Sequence, residues 1–238
     1  MEQAKDRLLV AKVMDGLIAD IVENKYGGIL PPQDVLSKEF DVSRTVMREA
    51  LSMLLARDML DVRPKVGTRV RPMRDWRMID EDVVSWRFRA KPDPQFMRDV
   101  IEFRMLIEPR ATAQAAVRAT AADIAGIREA FDAFKVLQPG DPGYDTADEL
   151  LHTRIVQASG NQFFQQMAAI VRGAVRLVNP RVVQKEGAHD TAVKAHARVV
   201  DAIERRDPRE AEAASLALID FSADEISRDF SVDVPVRA

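Results

Sequence analysis

Asp148 and His152 stand four residues apart in DELLHTRIV, a stretch with the apolar spacing of a helix. At that spacing two side chains leave one helix face with roughly 5–6 Å between their Cβ atoms. His196 shares the phase of Ala192 and Val200 on a second predicted helix, a largely apolar face. A carboxylate and two imidazoles converging inside a bundle would suit Zn2+ or another divalent transition metal. An Asp–His pair so spaced is more often a surface ion pair, so spacing alone does not select the metal. Arg104 and Glu108 are also four apart, on a helix that meets Pro109. An arginine aimed into a cavity offers a planar fork to a carboxylate ligand; an intrahelical salt bridge to Glu108 is the competing reading. The third histidine is His189.

A second group of residues is suited to phosphates. Between Val42 and Arg74, eight cations (Arg44, Arg48, Arg57, Arg63, Lys65, Arg69, Arg71, Arg74) outnumber three anions (Glu49, Asp58, Asp61). That segment carries +5 in a chain of net charge −3, so the remainder carries −8. Such asymmetry suggests a nucleic-acid footprint on an acidic body. An unevenly charged solvated surface gives the same count.

The elements that must position these groups are legible in the periodicity. Leu9, Val13, Leu17 and Ile21 mark a helix over residues 6–24, which YGGILPP ends. A short helix with Leu36 and Phe40 on one face follows, then a tight turn at Asp41-Val42. Ser43 stands where an N-cap belongs. The next helix, to about Asp58, has Val46, Ala50, Met53 and Leu54 as its apolar stripe. Arg44, Thr45 and Arg48 fall on the opposite, exposed face. The period then becomes two: Leu60 and Val62 alternate with charges, PKVG turns, and Thr68-Arg69-Val70 returns. Helix, helix, turn, helix and hairpin is the order of a winged helix-turn-helix, whose recognition helix enters a major groove.

The predicted fold is mainly α, a winged helix-turn-helix over 1–73, a linker over 74–95 holding both tryptophans, and an all-α domain over 96–238. Its bundle of six to seven helices is expected at Gln95–Arg118, Ala121–Leu137, Thr146–Ser159, Gln162–Val178, His189–Arg206 and Pro208–Phe230. Thr120 with Asp123, and Asp207 with Glu210, give two of these starts capping residues. Phe163, Phe164, Met167, Ile170, Val171, Ala174 and Val178 trace a core stripe.

Several functions are disfavoured. The chain has no cysteine, which removes disulfides and thiol chemistry. It has no GxGxxG, P-loop or GxSxG signature. No apolar run reaches the ~18 residues of a membrane span, and the charged, periodic N-terminus is not signal-like. A cytoplasmic protein is expected.

LPPQDVLSKEFDVSRTVMREALSMLLARDML followed by VGTRV resembles the winged helix of GntR-superfamily transcription regulators. EFRMLIEPRATAQAA, DELLHTRIVQASGN and KAHARVVDAIERRDPREA resemble the FCD ligand-binding domain of the FadR subfamily. DWRMIDEDVVSWRF and KPDPQFMRDVIEFRMLIEPRA are most similar to its D-galactonate-responsive repressors. The resemblance covers nearly the whole chain and keeps the motifs in order.

It implies operator contacts from Arg44 and Arg48, with Ser43 and Thr45 beside them, and a wing tip of Lys65, Gly67, Thr68 and Arg69 in the minor groove. Relatives often carry a basic residue where this chain has Asp34, which removes one expected contact. It also implies a divalent metal, zinc foremost, held by one Asp and three His. Asp148, His152 and His196 match, but the last position falls near Leu218, so water or an effector carboxylate would complete the shell. Arg104 matches the family's ExR arginine, which places the effector near Arg104, Asp148, His152 and His196. The expectation is a homodimeric repressor that binds double-stranded operator DNA and is released by a small carboxylate or sugar acid. Two rivals are a metal-dependent enzyme using Asp148, His152 and His196 as a facial triad, and a helical adaptor that binds another protein.

Overall fold

A computed structural model describes residues 2–89, 93–182 and 187–230. The chain divides into two compact units, residues 1–91 and 92–238.

The N-terminal unit is built on α1 (Glu2–Val22), α2 (Gln33–Glu39) and α3 (Arg44–Ala56). Leu17, Leu36, Met47 and Leu54 are fully buried where the three helices meet. The helix-turn-helix corner closes because Asp41 takes φ 51°, a left-handed conformation that aspartate tolerates better than most residues. The Ser43 hydroxyl then accepts a hydrogen bond from the Val46 N–H at 3.2 Å and starts α3. Gln33 fixes the angle between the two helices, its amide nitrogen donating to the Arg44 carbonyl at 2.7 Å. Strands β1 (Leu60–Arg63) and β2 (Gly67–Val70) pair antiparallel, Leu60 opposite Val70 and Arg63 opposite Gly67. Ile29 bridges to Arg69 on the far side of β2. Lys65 (φ 65°) and Gly67 (φ 99°) turn the hairpin tip.

The expected linker over 74–95 is largely part of this unit. A 3-10 turn (Met73–Asp75) leads to α4 (Glu81–Arg89), and Trp76, Val83 and Trp86 are buried in the same core as Leu17 and Leu54. Polar contacts fix it as well. Trp76 Nε1 donates to the Arg71 carbonyl at 3.0 Å and Trp86 Nε1 to the Asp15 carboxylate at 3.1 Å. Arg57, just past the end of α3, pairs with Asp80 at 3.2 Å and Asp82 at 2.6 Å.

The C-terminal unit holds six helices among the described residues: α5 (Pro94–Arg118), α6 (Ala121–Val136), α7 (Tyr144–Ala158), α8 (Gln162–Val182), α9 (Ala188–Glu204) and α10 (Pro208–Phe230). Helix α5 packs along α10, while α7 lies against α6 and α8. Phe134, Ile127, Leu151 and Ile203 are fully buried at the centre. Thr120 and Asp123 form a reciprocal capping box at the start of α6. The Asp207 carboxylate accepts from the backbone N–H groups of Arg209 and Glu210 at 3.1 and 3.0 Å to start α10. The stripe predicted on α8 holds from Val171 onward, but Phe163 is 76% exposed because it lies in the first turn, ahead of the packed face.

Candidate functional site

In the N-terminal unit the predicted contact residues form a surface. Arg44, Thr45 and Arg48 are exposed, turned away from buried Val46, Met47 and Ala50. A groove of about 490 Å3 runs between α3 and the hairpin, lined by Gln33, Arg48, Ser52, Val66, Gly67 and Thr68. Ser43 is also exposed, although its hydroxyl serves as the cap of α3. Lys65 is exposed at the hairpin tip. Arg69 is half-buried and lies 3.6 Å from Asp61, which also meets Arg63 at 3.3 Å. Asp61 therefore offsets part of the wing's positive charge, a role that hairpin periodicity does not disclose. Asp34 lines a separate depression that it shares with Lys38, Ser43 and Arg44.

In the C-terminal unit, α7 supplies Asp148 and His152 and α9 supplies His196, all buried. Their ligand atoms lie within 4.8 Å of one another. The two imidazole Nε2 atoms are 3.2 Å apart, and Asp148 Oδ1 lies 3.2 Å from His196 Nε2 and 3.8 Å from His152 Nε2.

What surrounds them sets the tautomers. His152 Nδ1 faces the Glu108 carboxylate at 2.7 Å, and His196 Nδ1 faces the Ala192 carbonyl at 2.8 Å. Each neutral ring places its proton on Nδ1, toward an acceptor, and turns an Nε2 lone pair inward. Two lone pairs and a carboxylate oxygen then converge, and that oxygen, Asp148 Oδ1, is buried without a donor. Three inward-facing donor atoms with outer partners on both imidazoles fit a divalent cation. Burial alone would raise the Asp148 carboxyl; with no cation present, protons carried on the inward Nε2 atoms of His196 and His152, together with the charge of Arg104, would outweigh it and hold the carboxyl below its usual range.

Leu218, at the expected fourth position, is buried in the same apolar core as Ala192, Val199 and Ala214. His189 stays outside the group. Its Nδ1 lies 3.3 Å from the Tyr144 hydroxyl, and the Phe134 ring sits between, 4.9 Å from the His196 ring and 6.0 Å from that of His189.

Arg104 and Glu108 form the ion pair that their spacing suggests, Nε to Oε1 at 2.6 Å, but the pair is buried rather than solvated. Among the described residues no acceptor meets the two terminal nitrogens of Arg104. Glu108 thus bridges Arg104 on its own helix to His152 on α7. Sequence reading missed this second contact, because 44 residues separate its partners. Burial by itself would raise the Glu108 carboxyl; the charge of Arg104, and then His152, holds it at about 2 instead of 4.5.

A group whose folded-state value is depressed contributes its stability above the ordinary range and loses it as acid is added. In metal-free protein the stability advantage of wild type over Glu108→Gln is therefore expected to shrink as pH falls from about 4.5 toward 2. Parallel urea titrations of the two proteins check this, and a pH-independent gap would contradict it.

Comparison with known proteins gives the arrangement its context. Residues 9–70 match the model of bacterial regulatory proteins of the gntR family, and residues 99–221 match that of the FCD domain. The chain belongs to the GntR family of transcription regulators, with an FCD domain. It is 30% identical to the galactonate operon transcriptional repressor of Escherichia coli over 202 residues, 84% of this chain and 88% of that one. It is 28% identical to the putative L-lactate dehydrogenase operon regulatory protein of E. coli over 221 residues, 90% and 85% of the two chains. A GntR structure from Streptococcus agalactiae aligns with TM-score 0.51 and 25% identity, covering 90% and 98%. Lar of Listeria monocytogenes aligns with TM-score 0.61 at 14% identity, covering 92% and 96%, and shares the fold. GntR proteins are DNA-binding regulators rather than enzymes, so the facial-triad enzyme gains no support. No helix among the described residues is long and apolar enough to cross a membrane.

Proposed function

We propose that this GntR regulator is a homodimeric repressor whose winged units bind two operator half-sites and whose helical units sense a small carboxylate, foremost a sugar acid. The exposure of Arg44, Thr45 and Arg48 together on α3, beside a basic hairpin, carries the reading. In this reading α3 enters the major groove, Arg48 and Arg44 meet bases and phosphates, and Lys65, Gly67, Thr68 and Arg69 approach the adjacent minor groove. Ser43 holds the first turn of α3 in place through its cap. The galactonate operon repressor, to which the chain is similar, suggests the effector class.

Asp148, His152 and His196 would hold a divalent cation, zinc by the preference of imidazole and carboxylate donors. When bound, it supplies a Lewis-acidic centre for carboxylate or hydroxyl oxygens of the effector, in a shell to which Leu218 contributes nothing. Arg104 offers its two terminal nitrogens to the effector carboxylate as a planar fork. The effector releases the operator to the extent that it binds the two dimer arrangements unequally.

Binding to DNA upstream of the chain's own gene tests the reading. Arg48→Ala should weaken it by about 1–3 kcal/mol if the side chain reads a base, and wild-type affinity should fall steeply with salt. Unchanged affinity at fixed salt would remove Arg48 from the interface, and salt-insensitive wild-type binding would remove the phosphate contacts.

A further inference from the structure

We propose that Glu108 links the two ligands of the helical unit, so that a carboxylate at Arg104 and a cation at Asp148, His152 and His196 strengthen each other's binding. The proposal rests on the preceding reading of that cavity. Glu108 is 3% exposed and splits one negative charge between two partners. Its Oε1 accepts from Arg104 Nε at 2.6 Å, and its Oε2 accepts from His152 Nδ1 at 2.7 Å. The backbone under it is held as well, since the Thr112 hydroxyl donates to its carbonyl at 2.7 Å and meets Ser215 on α10 at 3.3 Å. Glu108 has little freedom to leave either partner.

The consequence follows from charge sharing in a dry site. An anion arriving at the terminal nitrogens of Arg104 takes up part of the guanidinium charge. Less of that charge is left to offset Glu108, which then accepts more strongly from His152 Nδ1–H. The ring becomes a better donor at Nε2, the atom that faces Asp148 and His196. The reverse path is equivalent. With a cation held at the site, the His152 Nδ1–H would become a stronger donor to Glu108. Arg104 is then less neutralised by its own helix. Linkage requires the two effects on affinity to be equal. With no cation present, Glu108 simply competes with an incoming carboxylate for Arg104.

One substitution therefore moves the two ligands in opposite directions. Glu108→Gln keeps the shape but removes the charge. Zinc chloride titrated calorimetrically should bind the variant ~10–100-fold more weakly than wild type, the range found for lost outer partners of a histidine ligand. Acetate should bind the metal-free variant several-fold more tightly than metal-free wild type, as read by ligand-observed NMR. Saturating acetate should raise wild-type zinc affinity by a factor within ~5–150, and the variant should show a smaller factor.

A residue with only a structural role would weaken both ligands together, and that result overturns the proposal. So does a variant with both affinities unchanged, or a wild type that binds zinc and acetate independently. A wild type that binds neither overturns the reading of the cavity itself. Should circular dichroism show that Glu108→Gln does not fold, Glu108→Asp carries the same test. Its shorter side chain cannot reach both partners, and wild-type affinities for both ligands would then overturn the linkage.

Discussion

Zinc is expected to be lost when Asp148 is replaced by alanine, with the helical unit still folded. Asp148 is the only anionic member of the three-residue group, and its Oδ1 lies without a donor between two imidazoles. Losing an outer partner of a metal ligand typically costs 10–100-fold in affinity. Losing a charged inner donor from a group of three should cost more than ~100-fold on the same scale. Folding should survive, because alanine suits a helix interior and the apolar core that holds Leu151, Ile155 and Phe134 is left intact. Elemental analysis of gently purified wild type and Asp148→Ala, followed by zinc competition against a chromogenic chelator, gives the comparison. Equal zinc in both proteins, or none in wild type, would remove the metal from the account.

Asp148 and His152 also show how far sequence reading goes. Their shared helix face follows from spacing alone, because helical geometry is local. His196 on α9 needs only the further assumption that apolar faces meet, and the core formed by Ala192, Val199 and Val200 meets it. Capping was legible for the same reason. Ser43, Thr120 and Asp207 each act within three residues of themselves.

What could not be read are contacts set by how elements pack. Glu108 reads as a helix-surface partner of Arg104 until α5 and α7 bring it against His152. Asp61 reads as one charge among many until strand pairing sets it opposite Arg69. Phe163 fits the helical period of α8 but falls in the exposed first turn. The segment after β2 misled in the other direction. It reads as a linker in sequence, while the burial of its two tryptophans depends on surfaces supplied by α1 and α3.

That last difference has a large energetic consequence. Trp86→Ala should destabilise the N-terminal unit by about 3–5 kcal/mol, the usual cost of emptying a buried aromatic site. Trp86 is 7% exposed, donates to Asp15 on α1 at 3.1 Å and has the Arg57 guanidinium 5.8 Å from its ring centroid. Truncation removes the packing and leaves the Asp15 carboxylate without that donor. It also strips the apolar neighbour of Arg57, which lies just beyond α3 and is tied to Asp80 and Asp82. The measurement is clean because the chain has two tryptophans, both in this unit. In Trp86→Ala the remaining Trp76, 3% exposed, reports this unit's unfolding in guanidinium, while far-ultraviolet circular dichroism follows both units. A linker tryptophan resting on the surface would cost under ~0.5 kcal/mol. A midpoint that does not move would return 74–95 to the status of a tether. A shift of the expected size would make α4 a structural part of the N-terminal unit, tied through Trp86 to α1 and to Arg57 at the end of α3.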